Sequence, residues 1–218
     1  MEINGKALFF FPGAEQAIPG KTKVYLADGE RNFTLTLPPF RRKLLRDGET
    51  GHGKGFSFTV SGTKEGLHLT VTVRDAERGP RKTDAPWNGD SIELFFDSAP
   101  LTNPGDARAG ESVRRLFLAP PSSNGLPELK STLGMNAENI RSEITMSRNG
   151  YQANARIPWS ELGMKSSGLL GLDIKINNTT PDGRLSSEIW SGTSNNYRFR
   201  NRYGLWHPAQ QTGKAQAE

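Results

Sequence analysis

Between residues 56 and 176 the chain alternates apolar and polar residues in short runs, and nothing else in the sequence restricts its fold so tightly. Leu67, Leu69, Val71 and Val73 interleave with His68, Thr70, Thr72 and Arg74. Successive side chains of a strand point to opposite faces, so such a run has one dry face and one wet face. An amphipathic helix, with its apolar residues three or four apart, reads differently. The same alternation passes through Phe56, Phe58 and Val60, through Ile92, Leu94 and Phe96, and through residues 140–146. It returns in Tyr151, Ala153, Ala155 and Ile157, and again in Leu170, Leu172, Ile174 and Ile176. Residues 62–66 read as a turn, and Asn149-Gly150 is a strong hairpin signal. Val113 to Leu118 adds a strand that carries Arg114 and Arg115. Shorter candidates are Ala7–Phe11, Lys23–Leu26, the Phe33-Leu35-Leu37 alternation and the closing Tyr203–Trp206.

The connections are rich in Pro, Gly and Asn. Residues 40–54, charged and glycine-rich, read as a loop, and a short helical turn is expected near Glu128 to Leu133. Pro158 to Gly163 reads as one brief helical turn, opened by Pro and stopped by Gly. The sum is about eight to ten short strands and almost no helix, which predicts an all-β, single-domain β-sandwich. Alternation alone leaves closure into a barrel open. A chain of 218 residues is long enough for one such domain with a substantial core. Residues 1–50 are expected to supply strands and a loop that belong to the sandwich or pack on it. Residues 51–208 form the main body, and 209–218 a flexible tail.

Composition removes several classes of function. There is no cysteine, hence no disulfide, thiolate metal site or cysteine nucleophile. No apolar run approaches the length of a membrane span, and Ala7–Phe11 is too short for the core of a secretory signal. A signal would therefore lie outside this chain, or the protein is cytosolic. The formal charge of +5 is scattered, with local runs at Arg41-Arg42-Lys43, 78–82 and 198–202. Without a recognition helix or a lysine-rich tail it does not point to nucleic acid; an acidic glycan or a solvated basic face suits it as well. His52, His68 and His207 have no metal-ligand spacing. No Gly-x-Ser-x-Gly elbow or phosphate-cradling loop is present. Asp90, Glu93 and Asp97 crowd one short stretch, where acids point outward or bind a cation more readily than they flank a scissile bond. The chain reads as a binding module, not an enzyme.

The stretch from Ala85 to Asp97 joins a Pro-Trp-Asn-Gly turn to a strand. Ile92, Leu94 and Phe96 share one face; Glu93, Phe95 and Asp97 share the other. Trp87 sits on the turn at the strand's mouth. Trp190, Tyr197, Tyr203 and Trp206 also fall in loops or at strand ends, beside Asn195, Asn196, Arg198 and Asn201. Indole and phenol planes stack on the C–H faces of sugars, and amides, guanidinia and carboxylates bind the hydroxyls. Trp159, at the Ile157-Pro158 strand exit, reads as structural.

Three ordered motifs carry a family resemblance. Pro86 to Asp97 closely resembles the signature of family 9 carbohydrate-binding modules and their DOMON-like relatives. So do Gly150 to Trp159 and the glycine-led strand Gly171 to Asn178, and Arg202 to Trp206 is similar to the family's closing strand. The resemblance runs over about residues 56–206. It implies a β-sandwich with immunoglobulin-like or jelly-roll layering, a non-catalytic module of a secreted enzyme, and a polysaccharide or oligosaccharide partner. That places the protein outside the cell, in the periplasm or at the cell surface, with a catalytic domain in the full-length protein. In the sugar-binding members two tryptophans clamp a sugar, and Trp87 and Trp190 match them. An arginine on the following strand matches Arg115, and an amide after the inner strand matches Asn177 or Asn178. Some members bind structural calcium, and some DOMON domains hold haem. The alternative is a structural or protein-interaction domain on the same fold.

Overall fold

The computed structural model describes residues 2–3, 6–7, 22–25, 32–35, 43–75, 77–82, 85–100, 112–165, 168–191 and 203–208. Among these, two short antiparallel hairpins come first: β1 (Glu2–Ile3) with β2 (Lys6–Ala7), and β3 (Thr22–Tyr25) with β4 (Asn32–Leu35). Residues 8–11, 26 and 37 lie outside the described residues, as does the tail 209–218.

The rest builds two sheets. The strands are β5 (Leu44–Arg46), β6 (Thr50–His52), β7 (Phe56–Gly62), β8 (Gly66–Arg74), β9 (Ser91–Asp97) and β10 (Val113–Ala119). They continue with β11 (Leu129–Leu133), β12 (Arg141–Ser147), β13 (Gly150–Pro158), β14 (Leu170–Thr179), β15 (Leu185–Ile189) and β16 (Gly204–His207). One sheet has seven strands in the order β11-β10-β9-β14-β16-β5, with β15 also on β14. The other has five, β12-β13-β8-β7-β6. Neither closes on itself, so the fold is a sandwich rather than a barrel. No helix of the described residues is long and apolar enough to cross a membrane.

Each run of alternation supplies one wall of the core. Phe56, Phe58, Val60, Leu67, Leu69, Val71 and Val73 from one sheet meet Ile92, Leu94, Phe96, Leu172, Ile174 and Ile176 from the other, all at most 2% exposed. Burying each such side chain contributes about 1.5–3 kcal/mol. Trp159 stacks on Trp206, ring centroids 6.2 Å apart, and its Nε1 donates to Thr63 O at 3.0 Å. Pro158 to Gly163 forms a series of hydrogen-bonded turns, closed by Gly163 at φ 71°.

Two stretches depart from the sequence reading. Residues 40–54 are not all loop: β5 pairs in parallel with β16, and β6 pairs antiparallel with β7. β5 draws its order from a partner far along the chain, whereas β6 closes a short hairpin with the next strand. The expected helical turn at Glu128 to Leu133 is the strand β11, paired with β10 from Arg115↔Leu133 to Ala119↔Leu129. Its residues are half-buried or exposed throughout, so it carries no contrast between faces.

Candidate functional site

The loop before β9 is pinned at several points, and the pinning explains where Trp87 stands. Pro86–Asn88 forms a single 3-10 turn after the extended Ala85, with Asn88 N donating to Ala85 O at 2.8 Å. Proline suits the first position of such a turn because its missing N–H would have no partner there. Asp90 accepts from Gly79 N at 3.1 Å and from Thr179 N at 2.6 Å, clipping the loop to the end of β14. Burial pushes the Asp90 carboxyl up to about 6 against the pull of these two bonds, and Asp75 adds a smaller repulsive push. Arg81 is buried and donates to Pro120 O at 3.1 Å and to Pro127 O. Asn124 holds the Arg81 backbone from both sides. Gly89 presses on Arg81 so closely that an added Cβ would lie 2.6 Å from Arg81 Cβ. Trp87 is left 48% exposed, its ring 5.9 Å from that of Phe117 and tilted by 53°.

Trp87 opens onto the outer face of the seven-stranded sheet. Register places its side chains in rows across the strands. Leu129, Ala119, Ser91, Asn177 and Ser187 fall on the row nearest the 3-10 turn, followed by Ser131, Phe117, Glu93, Lys175 and Ile189. The next row holds Leu133, Arg115, Phe95 and Asp173. Lys175 Nζ lies 3.2 Å from Glu93 Oε2. The Arg115 guanidinium lies over the Phe95 ring at 5.0 Å, and Phe95 leans on Tyr203 at 5.7 Å. Asp173 accepts from Ser191 N and Ser191 Oγ, and Asp97 from Ala99 N and Ser112 Oγ. Burial raises the Tyr203 phenol well above its ordinary value, with nearby Arg115 pulling it down.

Along its central strands this face is buried from end to end, with Ser91, Asn177, Phe117 and Glu93 all at most 6% exposed, and it opens at its flanks. Phe95 and Asp173 are fully buried, whereas Trp87, Ser187 and Leu133 are exposed and Arg115, Lys175 and Ser131 half-buried. The acids Asp90, Glu93 and Asp97 do not point into solvent as expected; each is engaged with backbone or side-chain partners and at most 4% exposed. Among the described residues no three His, Asp or Glu side chains gather into a cation site.

The structure brings Trp87, Arg115 and Asn177 to one face and sends two other expected site residues elsewhere. Trp190 is 4% exposed. Its backbone N donates to Ile174 O, and its ring meets Phe58 edge-on at 5.1 Å between the two sheets. It is a core residue and not the second wall of an exposed clamp. Asn178 follows Ile174 and Ile176 on the core-facing side of β14, opposite to Asn177. Asn177 is buried and donates from Nδ2 to Ser91 Oγ at 3.1 Å, so it supports the face from beneath. Tyr203 and Trp206 are fully buried; Tyr197 and Arg198 lie outside the described residues. Sequence reasoning missed Phe117, Glu93 and Lys175 as neighbours. The alternation through β10 puts Phe117 on the face of Arg115, but only cross-strand register joins Glu93 to Lys175.

The model of the family described as carbohydrate family 9 binding domain-like matches residues 58–216. The chain belongs to this family. As a family 9 domain it is a non-catalytic carbohydrate-binding module, and its half-exposed Trp87 and the adjoining Phe117 form an aromatic cluster on the sheet's rim. A family 9 module from Caldicellulosiruptor kristjanssonii in complex with glucose has a TM-score of 0.63 to this fold at 16% identity, covering 80% of this chain and all of that one. A module from the same organism in complex with cellotriose gives 0.61 at 15% identity, covering 81% and 98%. Among characterised proteins, endo-1,4-beta-xylanase A of Thermotoga neapolitana is 23% identical over 143 residues, 65% of this chain. The match takes in 13% of that protein's length.

Proposed function

We propose that this family 9 domain holds a sugar residue of a polysaccharide on the outer face of the seven-stranded sheet, beside the 3-10 turn, with Trp87 as the stacking platform. One observation carries the reading. Of four tryptophans, three are at most 5% exposed, and Trp87 alone is presented to solvent, on a turn fixed by Arg81, Asn124 and Asp90. An indole held in place this way loses little freedom on binding. Covering one face of it with a pyranose contributes about 1–2 kcal/mol at about 25 cal/mol per Å2. Arg115, one row away from Phe117, and the Lys175–Glu93 pair, on the row of Phe117, supply donors and acceptors for ring hydroxyls. Asn177 positions Ser91 below them.

The glucose and cellotriose held by the two structural relatives support a glucose-type pyranose as the first ligand to try. The likeness to part of a xylanase supports attachment to a polysaccharide-degrading enzyme, which works outside the cell where its polymer lies. Residues 43–50 join both sheets, so the module takes in more of the N-terminal region than the family match does.

Titration calorimetry with cello- and xylo-oligosaccharides tests the site. Trp87→Ala is expected to weaken binding about tenfold or more while the fold persists, because the ring is half-exposed. A folded variant that binds as tightly as the parent moves the site off this face. A parent that binds no glycan favours a structural or interaction domain on the same scaffold.

A further inference from the structure

The opposite side of the sandwich carries a second feature that the reading above does not use. On the outer face of the five-stranded sheet, register aligns Arg141, Arg156, His68 and Ser61 in one row across four strands. The next row is Glu143, Asn154, Thr70, Thr59 and Thr50. An open groove of about 400 Å3 lies over these rows, lined by His68, Thr70, Arg141, Glu143, Asn154 and Arg156. Two arginines are Cα partners here, and like charges set directly opposite one another across strands are destabilising. Among the described residues the ion pairs are Lys175–Glu93 and Arg184–Asp182, so neither arginine of the groove has a carboxylate partner there. Glu143, in the adjacent row, stays more than 4 Å from both guanidinia.

One arginine is held in position. Arg156 donates from Nε to His68 Nε2 at 2.5 Å. That bond requires the imidazole's other nitrogen to carry its proton and leaves both Nη groups of Arg156 for a bidentate acceptor. Thr70 donates to Asn154 Oδ1 at 2.8 Å, so the Asn154 amide is fixed by its oxygen and keeps its NH2 for a ligand. No Phe, Tyr or Trp ring lies on these rows. A ligand here is held by charge and hydrogen bonds, not by stacking.

We propose that this groove is a second glycan site, one that binds the carboxylate of a uronic acid residue between Arg156 and Arg141. A planar carboxylate matches the free edge of a guanidinium with two parallel hydrogen bonds. The Thr, Ser and Asn side chains around it bind the sugar's hydroxyls. The groove and Trp87 occupy opposite faces of the sandwich, so a glycan chain engages one without the other, and failure of either site leaves the other standing.

Affinity electrophoresis through gels containing polygalacturonate, neutral galactan or dextran sulfate tests the groove. The variants are Arg141→Gln/Arg156→Gln, the charge-matched control Arg46→Gln/Arg184→Gln, and Trp87→Ala. The groove variant is expected to bind polygalacturonate at least tenfold more weakly. The control should lose less than threefold, and Trp87→Ala should bind as the parent does. Asn154→Asp keeps the acceptor for Thr70 but adds a negative charge, and should also weaken the polyuronate at least threefold. Equal losses in groove and control variants would reduce the effect to net charge and overturn the proposal. So would an equal cost of the groove substitutions on dextran sulfate, or a parent that polygalacturonate does not retard.

Discussion

The two outer faces of the sandwich are built from the same kind of strand and finished in opposite ways. On the five-stranded sheet the residues pointing away from the core are mostly Thr, Ser, Gln, Asn, Arg, His and Glu, half-buried or exposed, as one-sided alternation leads one to expect. On the seven-stranded sheet every residue of β9 is buried, on both faces. Phe95 there belongs to a small second cluster with Val113 and Tyr203, separate from the core between the sheets. The difference shows that a polar-looking face is not thereby a wet one. Glu93, Asp97 and Asp173 are buried where their partners are, and what this face shows to solvent lies around its margin, with Trp87, Ser187 and Leu133.

The largest test of this contrast is Phe95→Ala. Its ring is on the outer face by position and in a core by burial, so the variant should lose about 3–4 kcal/mol in chemical denaturation, as core Phe truncations do. A loss under 1 kcal/mol would mean that the second cluster contributes little and that the two faces are energetically alike. Asp90 gives the next effect, through pH. Its carboxyl binds a proton more tightly in the folded protein, at about 6, than at the ordinary 3.8. The stability this brings is fully present below about pH 4 and is lost as pH rises through 6, a change on the order of 2 kcal/mol. Asp90→Asn should flatten that part of the stability–pH curve. An unchanged curve would show that another group titrates there. The smallest effect is expected on the opposite face. Gln152 is exposed and donates to Thr72 at 3.2 Å, and Gln152→Ala should stay within about 0.5 kcal/mol of the parent. A larger cost would show that the open face is a structural network.

How much of this was legible depended on whether a residue's environment is set by its own strand. The long strands were, because a period of two is written into β7, β8, β9, β13 and β14. The edge strands were not. β5 contributes one buried residue, Leu45, and β11 has none; without a buried stripe of their own they are ordered by their partners, β5 by the distant β16 and β11 by the preceding strand β10. Trp87 could be read from its Pro-Asn-Gly surroundings. Trp190 could not be placed, since it follows the edge strand β15 and faces the core only because its backbone is bonded to Ile174. Arg115 and Asn177 were reachable through resemblance, while the Glu93–Lys175 pair and the Arg141–Arg156–His68 row exist only once register is known.

The corner between β5 and β6 has a consequence for how the protein behaves in company. Asp47 N bonds to His207 O, Gly48 N to Val60 O, and Asp47 Oδ1 accepts from Gly62 N at 2.7 Å. One short piece of chain thus supplies an outermost strand to each sheet on the same side, and each of these strands has three residues. Backbone groups at a sheet's margin are a template for another copy, and a long bare margin invites end-to-end growth into fibres. A three-residue margin offers few rungs. On this side of the sandwich, a second copy of the module would find little backbone to pair with, whereas the opposite margins, β11 and β12, have five and seven residues.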